Sequence, residues 1–361
     1  MKSITLTPMQ ETACAKAIAS LKHRKHFTLG GYAGTGKTTI LYYIREILRS
    51  ERKRVAVMAP TGKAAEVLRN KGLTSASTIH QTIYKKISDS PLTFERRRKH
   101  EIEADVIICD ESSMISKEIL RDLYSLGIPI LFVGDPYQLP PVGDDPELLV
   151  SCDFTLTEVH RQALDNPIIS LATYLRSDPY GSIANWYSSN RDQTKVKIHY
   201  KKIGVKLDPT IIDQAIVGYN NTRQNVNRVI RKRLGFTNQY PQEGDRLICL
   251  RNDYENGVCN GQQFIALDDE CNGSISVIDP TTEQQYILDL NPEVFTNPSA
   301  NPKQCPRTMT PLDYAYAITC HKSQGSEFPT IAVIDEPIGQ PSNRWRYTAI
   351  TRASDTIHYF L

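Results

Sequence analysis

The sequence predicts an α/β protein with two domains in tandem, each built around a parallel sheet. The chain has 361 residues, more than a single domain usually contains. Short apolar runs alternate with helix-like segments, a pattern typical of parallel sheets covered by helices on both faces. The stretch GYAGTGKT at 31–38 fits the phosphate-binding loop G-x-x-x-x-G-K-[ST] at every fixed position, between a strand-like and a helix-like segment.

The first domain is predicted from apolar runs and from apolar residues at helical spacing. The polar and basic segment at 83–103 breaks this pattern and is interpreted as a small hairpin insertion. The predicted strands are 27–29, 55–59, 106–109 and 130–133, and the predicted helices are 38–48, 63–69 and 117–126.

A second α/β pattern begins near Asn166, with strands predicted at 214–217, 331–334 and 356–360 and a helix at 225–234. Between 236 and 307, Pro, Gly and Asn turns separate short β-like runs. Strands at this spacing are typical of a small β-barrel, which we expect to be inserted into the second domain. The runs are 246–250, 263–266, 275–278 and 286–288.

The composition is ordinary for a globular protein, with 40% hydrophobic residues, 23% charged residues and a net charge of +3. Positive charge is clustered at 22–26, 52–54, 96–99 and 228–233, and each such run is typical of a solvated helix face. The eight cysteines form no C-x-x-C pair, which argues against a zinc site. The sequence shows neither a signal segment nor a membrane-spanning run, so we expect a protein that works in the cytoplasm.

The phosphate-binding loop predicts a site for a nucleoside triphosphate with Mg²⁺. In such loops the phosphates lie on backbone N–H groups at the N-terminus of the following helix. Two acidic residues and a glutamine follow the next predicted strands. Asp110 is positioned to hold Mg²⁺ together with the Thr38 hydroxyl, and Glu111 is positioned to act as general base. Gln138 lies at the end of the strand after that, where its amide can orient a water beside the γ-phosphate.

In their order along the chain, the motifs resemble those of superfamily 1 helicases of the 5′→3′ type, the RecD-like group that includes bacteriophage Dda. The resemblance extends from Gln10 to Arg352, and motifs III, V and VI make it specific. It comprises a Q motif at 6–10, motif Ia at 59–65, Ib at 78–80, II at 110–114, III at 134–141, an arginine-finger segment at 158–162, V at 316–328 and VI at 347–353.

The resemblance implies two RecA-like P-loop domains in tandem. The first, at 1–165, would carry a strand-separating pin insertion at 82–104. The second, at 166–361, would carry an SH3-like β-barrel insertion at 236–308. The implied activity is that of an ATP-dependent DNA helicase, which moves 5′→3′ on single-stranded DNA and separates duplex strands with ATP and Mg²⁺ as cofactors.

The same resemblance assigns roles to individual residues. Arg161 and Arg352 are the arginine fingers, Gln10 reads adenine, Glu327 contacts the ribose, and Phe94 stacks on the first unpaired base. The catalytic set is Lys37, Asp110, Glu111, Gln138, Arg161 and Arg352. The ATP-binding set is Gln10, Gly34, Thr35, Gly36, Lys37, Thr38, Thr39, Gly325 and Glu327, with Thr38 and Asp110 on the metal. The nucleic-acid-binding set is Thr61, Lys63, His80, Phe94, Asn220, Arg223, Thr319, His321 and Ser323.

Other functions stay open on the sequence alone. One is a DNA-stimulated ATPase that moves along DNA and displaces bound proteins, and another is an RNA helicase. A small-molecule kinase shares only the phosphate-binding loop, and it gives no reason for motifs III, V and VI. The expected partners are single-stranded DNA, its junctions with duplex DNA, and a single-stranded-DNA-binding protein or replisome component. We expect a monomer, encoded by a phage and acting in the bacterial host cytoplasm. Phe94 has a second interpretation, in which it packs the insertion onto its own domain.

Overall fold

The computed structural model describes residues 6–89, 92–141, 143, 148–159, 165–190, 194–200, 207–253, 255–297, 300, 304–306, 308–339 and 341–361. The chain forms two compact units, Met1–Asp178 and Pro179–Leu361. The predicted domain boundary after residue 165 differs from this division by the helix Pro167–Ser177, which lies in the first unit. Across the described part of the chain, every helix is too short or too polar to cross a bilayer.

The first unit contains a six-stranded parallel sheet. Its helices are α1 Pro8–Lys22, α2 Lys37–Ser50, α3 Gly62–Asn70, α4 Ile79–Ile83, α5 Lys117–Ser125 and α6 Pro167–Ser177. Its strands are β1 Phe27–Gly31, β2 Val55–Ala59, β3 Ser77–Thr78, β4 Tyr84–Asp89, β5 Leu92–Arg96, β6 Val106–Cys109, β7 Ile130–Gly134 and β8 Phe154–Leu156. The strand order is β3-β2-β6-β7-β1-β8, and every pairing within it is parallel.

Both faces of this sheet are covered, which explains why its strands are continuous apolar runs in the sequence. On one face, α2 buries Ile40 and Ile44 in the same cluster as Leu29 of β1. On the other face, Leu123 of α5 lies in a cluster with Phe132 of β7. The predicted strands and helices of this unit are present, and the structure adds α1, which has little apolar periodicity.

The segment predicted as a hairpin insertion forms the antiparallel pair β4–β5. Its base is fastened to α5, because the Tyr84 hydroxyl and the Arg96 guanidinium both bond to the Asp122 carboxylate, the latter at 3.0 Å. A second tie is the 2.7 Å ion pair between Lys85 and Glu101. Phe94 is half-buried opposite Lys86, whereas Ile87, at an irregularity in the pairing, is 57% exposed.

The second unit contains another parallel sheet, of five strands, and a smaller antiparallel sheet. Its helices are α7 Ile183–Ser189, α8 Asn220–Leu234, α9 Glu293–Thr296, α10 Cys320–Ser323 and α11 Ser342–Ile350. Its strands are β9 Val196–His199, β10 Gln214–Val217, β11 Arg246–Cys249, β12 Gln263–Ala266, β13 Ser274–Ile278, β14 Gln285–Asp289, β15 Leu312–Tyr314, β16 Ala317–Thr319, β17 Phe328–Ile334 and β18 Ala353–Phe360. The parallel order is β16-β10-β17-β18-β9, and the antiparallel order is β14-β13-β12-β11-β15.

Helix α8 connects the two sheets of this unit through buried polar contacts. Arg231 forms a two-pronged ion pair with Asp245, at 2.7 and 2.8 Å, at the entrance to β11. Asn227 donates to the carbonyl of Tyr314 and accepts from the backbone N–H of Ala317 at 2.6 Å. The small sheet also continues beyond the predicted end of the insertion at 308, because β15 pairs with β11.

Three helix ends in the first unit share one backbone geometry. Helices α1, α2 and α3 are each followed by a left-handed residue, Arg24 at φ 58°, Arg52 at φ 61° and Gly72 at φ 96°. At each end the next residue donates its N–H to the carbonyl five positions back, as in a Schellman motif. Only the third position has glycine, the residue without a steric penalty in this conformation.

We expect Arg52→Gly to stabilise the first unit. Glycine removes the steric penalty that an L-residue has in the left-handed conformation, but it also makes the unfolded chain more flexible. The net gain in the free energy of unfolding is about 1 kcal/mol. Thermal unfolding should then shift upward by roughly 2–4 °C for a unit of this size. Gly72→Ala is the matched control and should have the opposite sign, because the added Cβ finds Tyr42 at an ordinary 3.9 Å and only the backbone is strained. Equal melting temperatures for all three proteins would contradict the assignment.

Candidate functional site

The candidate nucleotide site lies at the carboxyl-end edge of the parallel sheet in the first unit. Strand β7 lies between β6 and β1, and all three are parallel. Gly30 is in register with Gly134, and Cys109 is in register with Phe132. The phosphate-binding loop, the Asp110–Glu111 pair and the loop after Gly134 therefore leave the sheet at the same edge, where ligands bind in open α/β sheets.

The phosphate-binding loop leads directly into α2. Gly34 and Gly36 have φ values of 77° and 80°, and Gly36 is the residue that precedes the helix. Thr35 is buried, and its hydroxyl donates to the Tyr32 carbonyl at 2.8 Å, which fixes the shape of the loop. The first turn of α2 contains no acidic residue. Its free N–H groups and positive dipole end thus form an anion site.

Lys37 is held within this loop. Its ammonium donates to the carbonyls of Gly31 and Tyr32, at 2.8 and 3.1 Å, and lies 3.9 Å from the Asp135 carboxylate. The lysine side chain is 19% exposed. Its positive charge therefore lies at the loop, where phosphate oxygens would bind.

Gln10 connects α1 to the phosphate-binding loop. Its amide nitrogen donates to the Thr35 carbonyl at 3.0 Å, and its amide oxygen accepts from the Thr7 N–H at 3.0 Å. The Thr7 hydroxyl in turn accepts from the Gln10 N–H, which completes a capping box at the start of α1. Gln10 is 2% exposed. In this structure it positions the loop, and adenine recognition by Gln10 stays a prediction.

Asp110 and Glu111 follow β6 directly. Burial and the neighbouring Glu111 charge raise the pKa of Asp110 to about 6, partly offset by the charge of Lys37. Glu111 is in the left-handed region at φ 50°, and its Oε2 is buried without a hydrogen-bond partner among the described residues. The Ser113 hydroxyl is likewise buried without a hydrogen-bond partner among the described residues. Unpartnered buried oxygens indicate a missing ligand or water, so this acidic pocket fits Mg²⁺.

The segment after β7 packs closely against the acidic pair. A Cβ at Gly134 would lie 2.7 Å from Leu149 and 3.1 Å from the Ser113 nitrogen, so only glycine fits there. Asp135 is fully buried and accepts from the Tyr137 N–H at 2.9 Å. Gln138 is 5% exposed one turn further on, where its N–H donates to the Asp135 carbonyl. The structure therefore gathers Lys37, Asp110, Glu111 and Gln138 at one edge of one sheet.

In the second unit, Arg352 lies against the loop that contains Gly325. It is 5% exposed, and its guanidinium donates to the carbonyls of Thr348 and Ser326, at 3.2 and 3.3 Å, and to the Thr351 hydroxyl. These acceptors are neutral, and among the residues that the structure describes no carboxylate forms an ion pair with Arg352. A buried cation of this kind favours an anionic ligand. Glu327, on the same loop, is exposed.

Several residues predicted to contact nucleic acid lie at helix starts. The Thr61 hydroxyl caps α3 by accepting from the Ala64 N–H at 3.1 Å, and Lys63 pairs with Glu66 at 3.0 Å. Burial lowers the pKa of His80 and of His321, so both imidazoles are neutral at pH 7. Neutral rings are suited to stacking and hydrogen bonding rather than to phosphate charge. Thr319 is half-buried at the start of α10.

Three other predicted contacts have partners inside the second unit. Arg223 is 7% exposed and forms a 2.6 Å ion pair with Asp313, while its Nε donates to Asn220. Ser323 is fully buried, and its hydroxyl donates to the Cys320 carbonyl at 2.7 Å. These contacts support the fold, and the predicted contacts of the three side chains with DNA stay predictions. Arg161 lies outside the described residues.

One neighbour of the phosphate-binding loop was not predicted. The Arg176 guanidinium, in the last turn of α6, lies 3.9 Å from the centre of the Tyr32 ring. The Tyr137 hydroxyl donates to the Leu175 carbonyl of the same helix at 3.2 Å. The spacing of α6 and the loop along the sequence does not indicate that they meet. This contact could therefore not be predicted without the folded structure. It places a cation–π pair beside the site.

The comparisons with known proteins agree with this geometry. The AAA domain family matches residues 5–196, and the UvrD-like helicase C-terminal domain matches 314–358. The chain is 26% identical to the ATP-dependent RecD2 DNA helicase of Deinococcus radiodurans over 94% of this chain and 47% of that protein. It is 29% identical to the ATP-dependent DNA helicase dda of Enterobacteria phage T4 over 65% of this chain and 58% of that protein.

Solved structures show the same fold. The crystal structure of Bacteroides Pif1 bound to single-stranded DNA superposes with a TM-score of 0.64 at 19% identity, over 99% of this chain and 92% of that one. Pif1 helicases in a structure of forked double-stranded DNA unwinding give a TM-score of 0.63 at 21% identity, with the same coverage. This likeness establishes the predicted two-domain RecA-like architecture.

The fold and the phosphate-binding loop together define a P-loop protein with two RecA-like units. The AAA domain match covers more than half of the chain, and the chain belongs to that family. The predicted resemblance to the RecD- and Dda-like members of superfamily 1 is confirmed by the relatives found. The chain spans about half the length of these curated relatives.

Proposed function

We propose that this chain is the motor of an ATP-dependent DNA helicase that moves 5′→3′ on single-stranded DNA. The observation that carries the proposal is the assembly of Lys37, the acidic pair and the Gln138 segment at one sheet edge, followed along the chain by a second RecA-like unit with a buried, unneutralised Arg352. The relatives named DNA helicases, RecD2 and dda, support DNA as the substrate.

The residues of the first unit have distinct roles in the proposed ATP hydrolysis. Lys37 and the N-terminal amides of α2 bind the phosphates. Thr38 and Asp110 hold Mg²⁺, which neutralises charge on the phosphate oxygens when bound. Glu111 accepts a proton from the attacking water, and Gln138 orients that water. Thr35, Gly34, Gly36 and Thr39 also belong to the proposed ATP-binding set.

Both units contribute charge and strand contacts in this proposal. Arg352 and Arg161 are the proposed arginine fingers, and Glu327 with Gly325 is the proposed ribose contact. ATP binding and hydrolysis would then alternate the grip on the strand, which produces movement. Thr61, His80, Thr319 and His321 are the proposed contacts with the strand.

The insertions have proposed roles as well. The β4–β5 hairpin within 82–104 is the strand-separating pin of the first domain, and the antiparallel sheet begun within 236–308 is an SH3-like module that covers the strand. The exposed side chain of Ile87 makes it a second apolar candidate on the pin, beside Phe94. A monomer, a cytoplasmic location and a single-stranded-DNA-binding protein as partner stay predictions.

The first test is strand displacement on two duplexes, one with a 5′ single-stranded tail and one with a 3′ tail, with ATP and Mg²⁺. We expect displacement of the 5′-tailed duplex alone, and none with Lys37→Ala. A preference for the 3′ tail would overturn the polarity. Strong DNA-stimulated ATP hydrolysis without displacement would identify a protein-displacing translocase instead. Stimulation by RNA but not DNA would make the chain an RNA helicase.

Phe94→Ala tests the proposed pin. We expect unwinding of a 5′-tailed duplex to fall several-fold while ATP hydrolysis stimulated by single-stranded DNA is unchanged, because a base loses about 1–3 kcal/mol of stacking. Ile87→Ala is the parallel variant on the same hairpin. A fall in melting temperature with proportional loss of both activities would show that Phe94 packs the hairpin instead.

A further inference from the structure

Three of the four basic runs in the sequence converge at one edge of the first unit. The run at 22–26 immediately precedes β1, and the run at 52–54 immediately precedes β2. The run at 96–99 begins at the end of the hairpin and leads towards β6. Because these strands are parallel members of one sheet, their amino ends lie at the same edge. This edge is opposite the one that bears the phosphate-binding loop. A strand of five residues separates the two edges by ~15 Å.

The converging runs surround a cavity of about 620 Å³. This volume is within the range of sites that enclose small ligands or peptide side chains. The cationic side chains of its lining are Lys22, Arg24, Lys53, Arg54 and Lys99, and the lining has a single carboxylate, Asp105. Five cations against one carboxylate give the lining a net charge of +4, with His100 left out of the count.

Part of this charge is neutralised by neighbouring carboxylates and part is not. Lys22 pairs with Glu51 at 2.6 Å, and Arg54 pairs with Asp105 at 3.3 Å. Lys99 donates to the Gly127 carbonyl, which is neutral. Arg24 and Lys53 form no hydrogen bond or ion pair through their side chains within the part of the chain that the structure describes. The rim of the cavity therefore presents cations that can bind an acidic partner.

Part of the wall of the cavity is apolar. Leu21, Leu48 and Ile102 line it, although each is at most 6% exposed. Cations at the C-terminal ends of α1 and α2 also stabilise the helix dipoles, which accounts for part of the charge. The dipoles account neither for the cavity nor for Arg24, which adopts a left-handed conformation where the equivalent end of α3 has Gly72.

We propose that this cavity binds an acidic peptide segment that inserts an apolar side chain. The rim would pair with aspartates or glutamates of the peptide, and the aliphatic wall would bury its apolar residue. A single-stranded nucleic acid fits less well, because its bases stack on aromatic rings and the lining contains no Phe, Tyr or Trp. The site is independent of the proposed helicase activity, since it lies at the opposite edge of the sheet.

The test uses fluorescence anisotropy with the full chain. One labelled peptide consists of aspartates followed by isoleucine and phenylalanine, and its matched peptide ends in two serines. We expect the first to bind roughly tenfold or more tightly than the second. The variant Arg24→Glu with Lys53→Glu should lose binding about tenfold or more. The control Arg121→Glu with Lys232→Glu changes the net charge equally at exposed positions elsewhere and should retain binding.

ATP hydrolysis should be the same in both double variants, because none of the four residues belongs to the nucleotide site. Equal affinity for the two peptides would contradict the proposal that the cavity binds an apolar side chain. This comparison uses the unchanged protein and needs no variant. Equal loss in the two double variants would show that binding follows net charge alone. A labelled oligothymidylate that displaces the peptide and loses affinity only in the cavity variant would assign the cavity to nucleic acid, against the proposal.

Discussion

ATP hydrolysis should fall roughly 10²–10⁴-fold when Glu111 is replaced by glutamine, with ATP binding retained. Glutamine preserves the volume of the side chain and removes its capacity to accept a proton. The carboxylate is well placed for that role, because its Oε2 is buried beside Asp110 and lacks a hydrogen-bond partner among the described residues. Steady-state hydrolysis with saturating single-stranded DNA, together with binding of a fluorescent ATP analogue, would measure the two effects separately.

The chain offers a closely matched control for this change. Glu283 is also a glutamate in the left-handed region, at φ 58°, and it is exposed in the second unit. Glu283→Gln repeats the substitution in the same backbone conformation without touching the site, and it should leave hydrolysis unchanged. If Glu111→Gln retained more than about a tenth of the activity, another group would have to be the base.

The sheets could be predicted from the sequence because burial on both faces produces an unmistakable pattern. The four residues of β6 are all buried, and the apolar run at 106–109 predicted its bounds correctly. The same reasoning missed β8 and β16, whose three residues are too short for any periodicity. It also missed α1 as a helix, although Thr7 and Gln10 form the capping box that marks its start.

The site was predictable where its residues follow strands, and not where its contacts join distant segments. A phosphate-binding loop and an acidic strand end suffice to place Lys37 and Asp110 in one site. Nothing local to Arg223 indicates that Asp313 will neutralise it inside the second unit. The cationic cavity could not be predicted for the same reason. Each of its three basic runs resembles a solvated surface in the sequence, and they form one site only when the strands pair.

Asp110→Asn should abolish activity and yet stabilise the nucleotide-free protein at neutral pH. Burial and the Glu111 charge raise the pKa of Asp110 to about 6, well above the value of about 3.9 in an unfolded chain. The folded protein therefore binds the proton more tightly than the unfolded chain does. Ionisation of Asp110 at pH 8 therefore destabilises the folded state by about 2–3 kcal/mol, since one pKa unit corresponds to 1.36 kcal/mol. Asparagine removes this penalty along with the metal ligand.

The sign of the effect determines the experiment. The contribution of Asp110 to stability is fully present below about pH 4 and is lost as the pH rises through about 6. The melting temperature of Asp110→Asn should therefore match the wild type near pH 4 and exceed it at pH 8, and other titrating groups cancel in the difference. Mg²⁺ with ADP should raise the melting temperature of the wild type more than that of the variant. A variant that melts lower than the wild type at pH 8 without Mg²⁺ would contradict this prediction. It would mean that contacts within the first unit stabilise the ionised carboxylate, so that its charge does not destabilise the nucleotide-free protein.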